Sequence, residues 1–149
     1  MASTFQSVNV TGARPAVIAN GAETVTVRGE YEITAALVIN DLVELVNLPA
    51  DHVVTDCIIY ADDLDTNGTP LITLGAGKTG GTGVELIAAN TLAQAGGMAR
   101  LDTAGGLQIA PATSEVAYGV KVVAAPATGA TTGTIGMQLS YKAARYAGA

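Results

Sequence analysis

Four groupings of side chains in this sequence could carry chemistry. The stretch Leu74-Gly75-Ala76-Gly77-Lys78-Thr79-Gly80 spells G-x-G-x-x-G at Gly75, Gly77 and Gly80, and it contains the Gly-Lys-Thr with which a phosphate-binding loop ends. A phosphate loop would need its first glycine where Ile72 stands, and a dinucleotide fingerprint needs a helix directly after the loop to hold the pyrophosphate. Gly81-Thr82-Gly83 follows instead, so the stretch reads as a flexible connection between strands. In Asp62-Asp63-Leu64-Asp65-Thr66-Asn67-Gly68, the residues Asp63, Asp65, Asn67 and Gly68 match the first half of a calcium loop. The bidentate glutamate of that loop would fall at position 74, which is a leucine, and Asp and Asn also favour plain hydrogen-bonded turns.

The third grouping centres on His52, the only histidine. A nucleophile–base pair would have to join it to Ser3, Ser7, Ser114, Ser140 or Cys57, none of which sits in a nucleophile-elbow context. His52 reads as a solvent-exposed residue in a loop entering a strand, and Cys57, beside Ile58 and Ile59, as a small buried hydrophobe. Fourth, the 13 acidic residues make some close carboxylate pair inevitable, as glycoside hydrolysis requires. Sugar sites usually offer aromatic platforms, however, and the chain has five Tyr, one Phe and no Trp. No catalytic, cofactor or metal residue is assigned, and the chain reads as a non-enzyme.

The elements that position these groups are strands. Val25 and Val27 alternate with Thr24, Thr26 and Arg28. Val116, Tyr118, Val120 and Val122 share a face opposite Ala117, Gly119 and Lys121. Ile135, Met137, Leu139 and Tyr141 alternate with Gly136, Gln138 and Ser140. A period of two marks half-buried β-strands. Less regular β-rich runs cover Tyr31–Ile39, Val53–Ala61 and Leu71–Leu74, and Leu42–Leu48 leans to strand over helix. Phe5–Val10, Val84–Ala88, Met98–Leu101 and Gly106–Ile109 are further strand candidates. Asn20-Gly21, Asn67-Gly68, Gly96-Gly97 and Gly105-Gly106 mark turns. One helical turn is expected within Asn90–Gly97, capped by Asn90 or Thr91 and ended by Gly96. The expected fold is all-β: a single antiparallel sandwich or barrel spanning residues 1–149, with at most one short helix.

Composition narrows the function classes. The 149 residues carry a net charge of −6 and only 13% charged side chains, with 49% hydrophobic. Seven scattered basic residues offer no patch for nucleic-acid phosphates. The apolar runs are far shorter than the roughly 20 residues of a membrane helix. The first residues lack the basic and apolar regions of a signal peptide. One cysteine excludes an internal disulfide. These features lead to the expectation of a cytoplasmically made, soluble domain without cofactor.

One segment carries a resemblance. Leu48-Pro49-Ala50-Asp51-His52-Val53-Val54-Thr55-Asp56, followed by Asp62-Asp63-Leu64-Asp65-Thr66-Asn67-Gly68 and then Leu71 to Gly75, resembles the small head decoration, or cement, proteins of tailed bacteriophages. The strand-like run Gly29 to Leu48 fits the same pattern. The resemblance implies a jelly-roll-like sandwich on the outer capsid surface of the virion. There it would bind the major capsid (coat) protein across subunit junctions and help the head resist internal DNA pressure. It implies no chemistry. The alternatives are a tail or tail-fibre component recognising a host surface, and a small carbohydrate-active or calcium-dependent enzyme. Residues 1–14 and 141–149 are the candidate contact arms, the latter joining Lys142 and Arg145 to Tyr141 and Tyr146. Edge strands needing cover point to a homo-oligomer, dimer or trimer.

Overall fold

The computed structural model describes residues 2–12, 16–20 and 22–144. Among the described residues nine strands form two sheets. They are β1 (Thr4–Gln6), β2 (Val25–Ile33), β3 (Leu42–Leu48), β4 (His52–Ala61), β5 (Thr73–Lys78), β6 (Ile87–Asn90), β7 (Gly97–Arg100), β8 (Val116–Ala124) and β9 (Gly133–Ala143). One sheet runs β1-β3-β8-β5-β6 and the other β2-β9-β4-β7. Setting β1 aside, the remaining eight strands interleave between the sheets in the order of a jelly roll, as expected. The one parallel pair among the described strands is β1 with β3.

Alternation places the core. Ile135, Met137, Leu139 and Tyr141 of β9 are fully buried, and Tyr118, Val120 and Val122 of β8 face them from the other sheet. Burying such side chains contributes roughly 1.5–3 kcal/mol each before the chain's lost entropy is counted. β3 lacks alternation because both of its faces are covered: Val43, Leu45 and Val46 are buried, and so is Glu44. That double burial is why the run Leu42–Leu48 is ambiguous in sequence and a strand in the structure.

Several expectations shift. The β-rich run Tyr31–Ile39 ends as a strand at Ile33, because Asp41 organises the following loop: its carboxylate accepts from the main-chain N–H of Val38 at 2.8 Å and of Ser3 at 2.7 Å. Gly106–Ile109 is not a strand. It falls largely in a 3-10 turn, Ala104–Gln108, capped by the Thr103 hydroxyl accepting from Gly106 N–H at 3.1 Å. Phe5–Val10 is strand only to Gln6. The helical turn expected after Asn90 is a 3-10 turn at Leu92–Gln94. The Asn90 side chain accepts from Leu92 N–H at 2.9 Å, and Gly96 leaves the turn at a φ of 78°.

Candidate functional site

The glycine-rich stretch is built into the sandwich. Gly75, Gly77 and Lys78 lie in β5, so the stretch is a strand and not a flexible connection. Its glycines make room for the chain that returns over them. A Cβ on Gly77 would lie 1.9 Å from the Glu85 carboxylate and 2.6 Å from the main chain of Gly83, and one on Gly75 would lie 2.4 Å from Val84. The Thr79 hydroxyl donates to Glu44 Oε1 at 2.6 Å, and Gln6 Nε2 donates to Glu44 Oε2 at 2.7 Å. The main-chain N–H groups of Lys78 and Gly83 donate to Glu85 Oε2. The Thr79 hydroxyl and the Lys78 and Gly83 N–H groups are engaged with carboxylates, and a glycine turn follows the strand where a dinucleotide site needs a helix.

The aspartate loop is a brace. Asp65 is buried, and its two carboxylate oxygens accept from the main-chain N–H groups of Leu71, Ile72, Ala127 and Thr128, at 2.7 to 3.2 Å, and from Asn67 at 3.3 Å. Burial pushes its pKa up, but these bonds from Thr128, Leu71, Ala127 and Ile72 outweigh it and hold the carboxyl far below the usual range. Asp63 Oδ1 accepts from Asp65 N–H, and Asn67 Oδ1 from Thr69 N–H. Oxygens that a calcium ion would need are therefore turned onto the chain. No group of three or more acidic, His or Cys side chains able to hold a metal occurs among the described residues.

His52 departs from expectation. It is 5% exposed and opens β4, with Nδ1 at 2.8 Å from the Ala50 carbonyl and Nε2 accepting from Ala19 N–H at 3.1 Å. Those two bonds fix a tautomer with the proton on Nδ1. The ring meets the Tyr141 edge at 5.6 Å, and the Tyr141 hydroxyl donates to the Val17 carbonyl. His52 and Tyr141 thus hold the segment 16–20 against the paired ends of β4 and β9, and both ring nitrogens of His52 are engaged with the main chain. Cys57 is fully buried, and burial raises its thiol pKa to about 12, which leaves it without thiolate reactivity.

The contact-arm stretches are partly structural. Thr4–Gln6 pairs along β3, and Ser7 is buried with its hydroxyl donating to the Leu45 carbonyl at 2.7 Å. Tyr141 is part of the core. Residues 1, 13 and 14 of the first stretch and 145–149 of the second lie outside the described residues.

What the molecule offers outward is surface. The second sheet's outer face carries Asp56 and Arg100, whose guanidinium donates to the carboxylate at 2.5 Å and holds the Asp56 pKa below its ordinary value. On the same face Tyr60 lies across Gly136 to donate to Glu30 at 2.6 Å, and its pKa rises to about 12 through burial and that carboxylate. At one end of the sandwich three loops meet. Asp41 organises residues 34–41, and Asp65 ties 62–72 to 125–130. The first and second of these flank the end of β8, through Asn40 N–H to the Val122 carbonyl and the pairing of Thr73 with Ala124. They expose Val38, Ile39 and Leu71. Sequence reasoning missed this cluster, because its apolar tips look like strand residues until Asp41 and Asp65 are seen to end the strands.

No protein-family profile and no curated protein sequence matches the chain. Solved structures do. A chain of the capsid of Ralstonia phage GP4 is 35% identical, with a TM-score of 0.86 over 93% of this chain and 97% of that one. A chain of the cyanophage Pam1 capsid asymmetric unit is 30% identical, with a TM-score of 0.70 over 88% and 94%. Identity at this level across nearly the whole of both chains goes with a structural role in place of an enzymatic one: the protein belongs to this family of phage capsid proteins and is a component of the virion.

Proposed function

We propose that the protein is a capsid decoration, or cement, protein. It binds the outer shell across neighbouring coat subunits and stabilises the head against the pressure of packaged DNA. The observation that carries this reading is one of extent: the chains it matches in phage capsids are almost wholly accounted for by this one sandwich. A nine-stranded unit of this kind covers a patch of a shell, and no described segment leaves it as a long arm to lock a neighbour. The braced loop cluster with Val38, Ile39 and Leu71 at its tips supplies the contact surface. Its loops are already fixed by Asp41 and Asp65, so little ordering entropy is lost on docking. Separating two coat subunits beneath it then requires breaking its own contacts as well, which is how a bound partner adds stability without chemistry.

The test is the copy number of the protein in purified particles relative to coat protein, by quantitative mass spectrometry. A ratio approaching that of coat protein is expected. A few copies per particle would instead assign it to the tail or a portal vertex, and absence from particles would discard the reading.

A further inference from the structure

Residues 124–133 consist of Ala, Thr, Gly and one Pro, a composition that suggests a slack loop. The structure holds them between two other loops. On one side Asp65 accepts from Ala127 and Thr128, Thr66 N–H donates to the Thr128 carbonyl at 2.9 Å, and Ala130 N–H donates to the Leu64 carbonyl at 3.1 Å. On the other side a Cβ on Gly129 would lie 2.7 Å from the Cβ of Ala36, so residues 34–41 pack directly on the stretch. The three loops form one continuous end of the sandwich, with 124–133 flanked on both sides. No residue of 34–40, 66–72 or 124–133 is charged. Asp41 and Asp65, which brace these loops, are buried with their oxygens turned onto main-chain N–H groups. The exposed carboxylates of Glu32, Asp62 and Asp63 stand at the border, where Thr134 bonds the first two. The opposite end of the sandwich differs. There the loops 49–51 and 111–115 meet through Asp51 N–H and the Ala112 carbonyl, and they expose Asp51 and Glu115.

We propose that residues 124–133 are the centre of the coat-contacting surface, and that the coat patch they meet is itself uncharged and apolar. The proposal rests on the decoration reading and names what this end of the molecule recognises. Protein interfaces keep charge out of their centre and leave it to a polar rim. This end is arranged in that way: small Ala, Gly and Thr side chains in the middle, the exposed tips Val38, Ile39 and Leu71 on the loops beside them, and carboxylates only at the border. A lysine or aspartate of the coat protein brought against the centre would lose its water and gain no charged partner. An apolar patch carries no such cost, and burial of the three tips favours it. The composition of the stretch fits the same role. Ala, Gly and Pro have no side-chain freedom to lose when a surface closes over them. The opposite end would bring Asp51 and Glu115 into any contact it made, so it does not suit an uncharged partner.

The test is binding of the purified full chain to undecorated heads, assembled without this protein, with circular dichroism confirming that each variant is folded. Charge is placed at the surface with both signs: Leu71→Lys and Leu71→Glu at a tip, Ala127→Lys and Ala127→Glu in the stretch itself. All four should weaken binding by roughly tenfold or more, because either sign must be desolvated against an apolar patch. Met98→Lys, at an exposed apolar side chain on β7, should bind as the wild type does. Wild-type binding should hold or tighten from low to molar salt, whereas a contact made by charge pairs would be screened and weaken. Tighter binding by one sign of charge, or loss of wild-type binding at high salt, overturns the proposal in favour of a charged coat patch. Four variants that bind like the wild type overturn it as well and leave the decoration reading standing. A wild type that does not bind undecorated heads overturns the decoration reading and the proposal with it.

Discussion

Gly29 makes the sharpest demand on the packing of the two sheets. A Cβ built on it would lie 2.0 Å from the carbonyl oxygen of Leu45 and 2.8 Å from its carbon, both main-chain atoms of the facing sheet. Leu45 occupies the irregular step in β3 between Glu44 and Val46, and its carbonyl already accepts from Ser7 Oγ at 2.7 Å and from Asn9 Nδ2 at 3.4 Å. A methyl group at Gly29 must push that carbonyl away by about 1 Å or more to reach ordinary contact, and the anchor of the N-terminal segment goes with it. Overpacking a closed core costs about 1–3 kcal/mol, and the lost bond adds about 1 kcal/mol. The unfolded-chain gain from Gly to Ala returns only about 0.5–1 kcal/mol. Gly29→Ala should therefore destabilise by about 2–3 kcal/mol, a fall in melting temperature of roughly 4–12 °C for a domain of this size. Gly68→Ala is the internal control, since nothing lies within 4 Å of its Cβ position. There the same substitution should be neutral or slightly stabilising. Urea denaturation followed by circular dichroism reads both. Equal effects at the two positions would refute the close approach of β2 to β3 on which the sandwich geometry rests.

Stability should fall at both ends of the pH scale. Asp56 and Asp65 have pKa values lowered by folding, so their contribution is complete above the unfolded carboxylate value of about 3.9 and is lost as pH falls through the folded values. Tyr60, Tyr118 and Tyr141 have pKa values raised to about 12, so their contribution is complete below the unfolded value of about 10 and is lost as pH rises toward 12. Thermal melts should hold level from pH 5 to pH 9 and drop outside that range; a melting temperature unchanged at pH 3 would contradict the role given to Asp65. Asp65→Asn keeps one acceptor and places an amide among N–H donors, so it should lower the melting temperature and raise hydrogen exchange at Leu71, Ile72, Ala127 and Thr128 together. Millimolar calcium should leave the wild-type melt unshifted, and a calcium-dependent rise would restore the metal reading of the loop.

The strands whose two faces differ were readable from sequence. β8 and β9 alternate over most of their length because one face meets the core and the other carries mainly glycine, polar side chains or lysine. β5 was hidden because its covering comes from its own chain. Gly75 and Gly77 are small so that Val84 and Glu85 can return across them, and small residues in a strand look like a loop. His52 looked exposed because the group that buries it, the segment around Ala19, lies 33 residues away in sequence. The aspartate turn was visible as a turn, but its function as a brace depends on Ala127 and Thr128, more than 60 residues on, inside a stretch of Ala, Thr and Gly that has no pattern of its own.

The buried acidic residues tie these observations together. Asp41, Glu44 and Asp65 are each almost fully enclosed, and each spends its oxygens on a different part of the chain: two loops, a hydroxyl and an amide, and two further loops. A charged acceptor bonded to several N–H groups is a stronger tie than a neutral one, and it tolerates burial only when its lone pairs are filled. In a chain with one cysteine and few aromatic rings, such carboxylates do the work that disulfides or large side chains do elsewhere. They also account for much of the acidic content without an acid–base site: the oxygens of Asp41, Glu44 and Asp65 are engaged with the fold. A shell-binding protein gains from that allocation, since loops fixed before docking present the same surface to every coat subunit they meet.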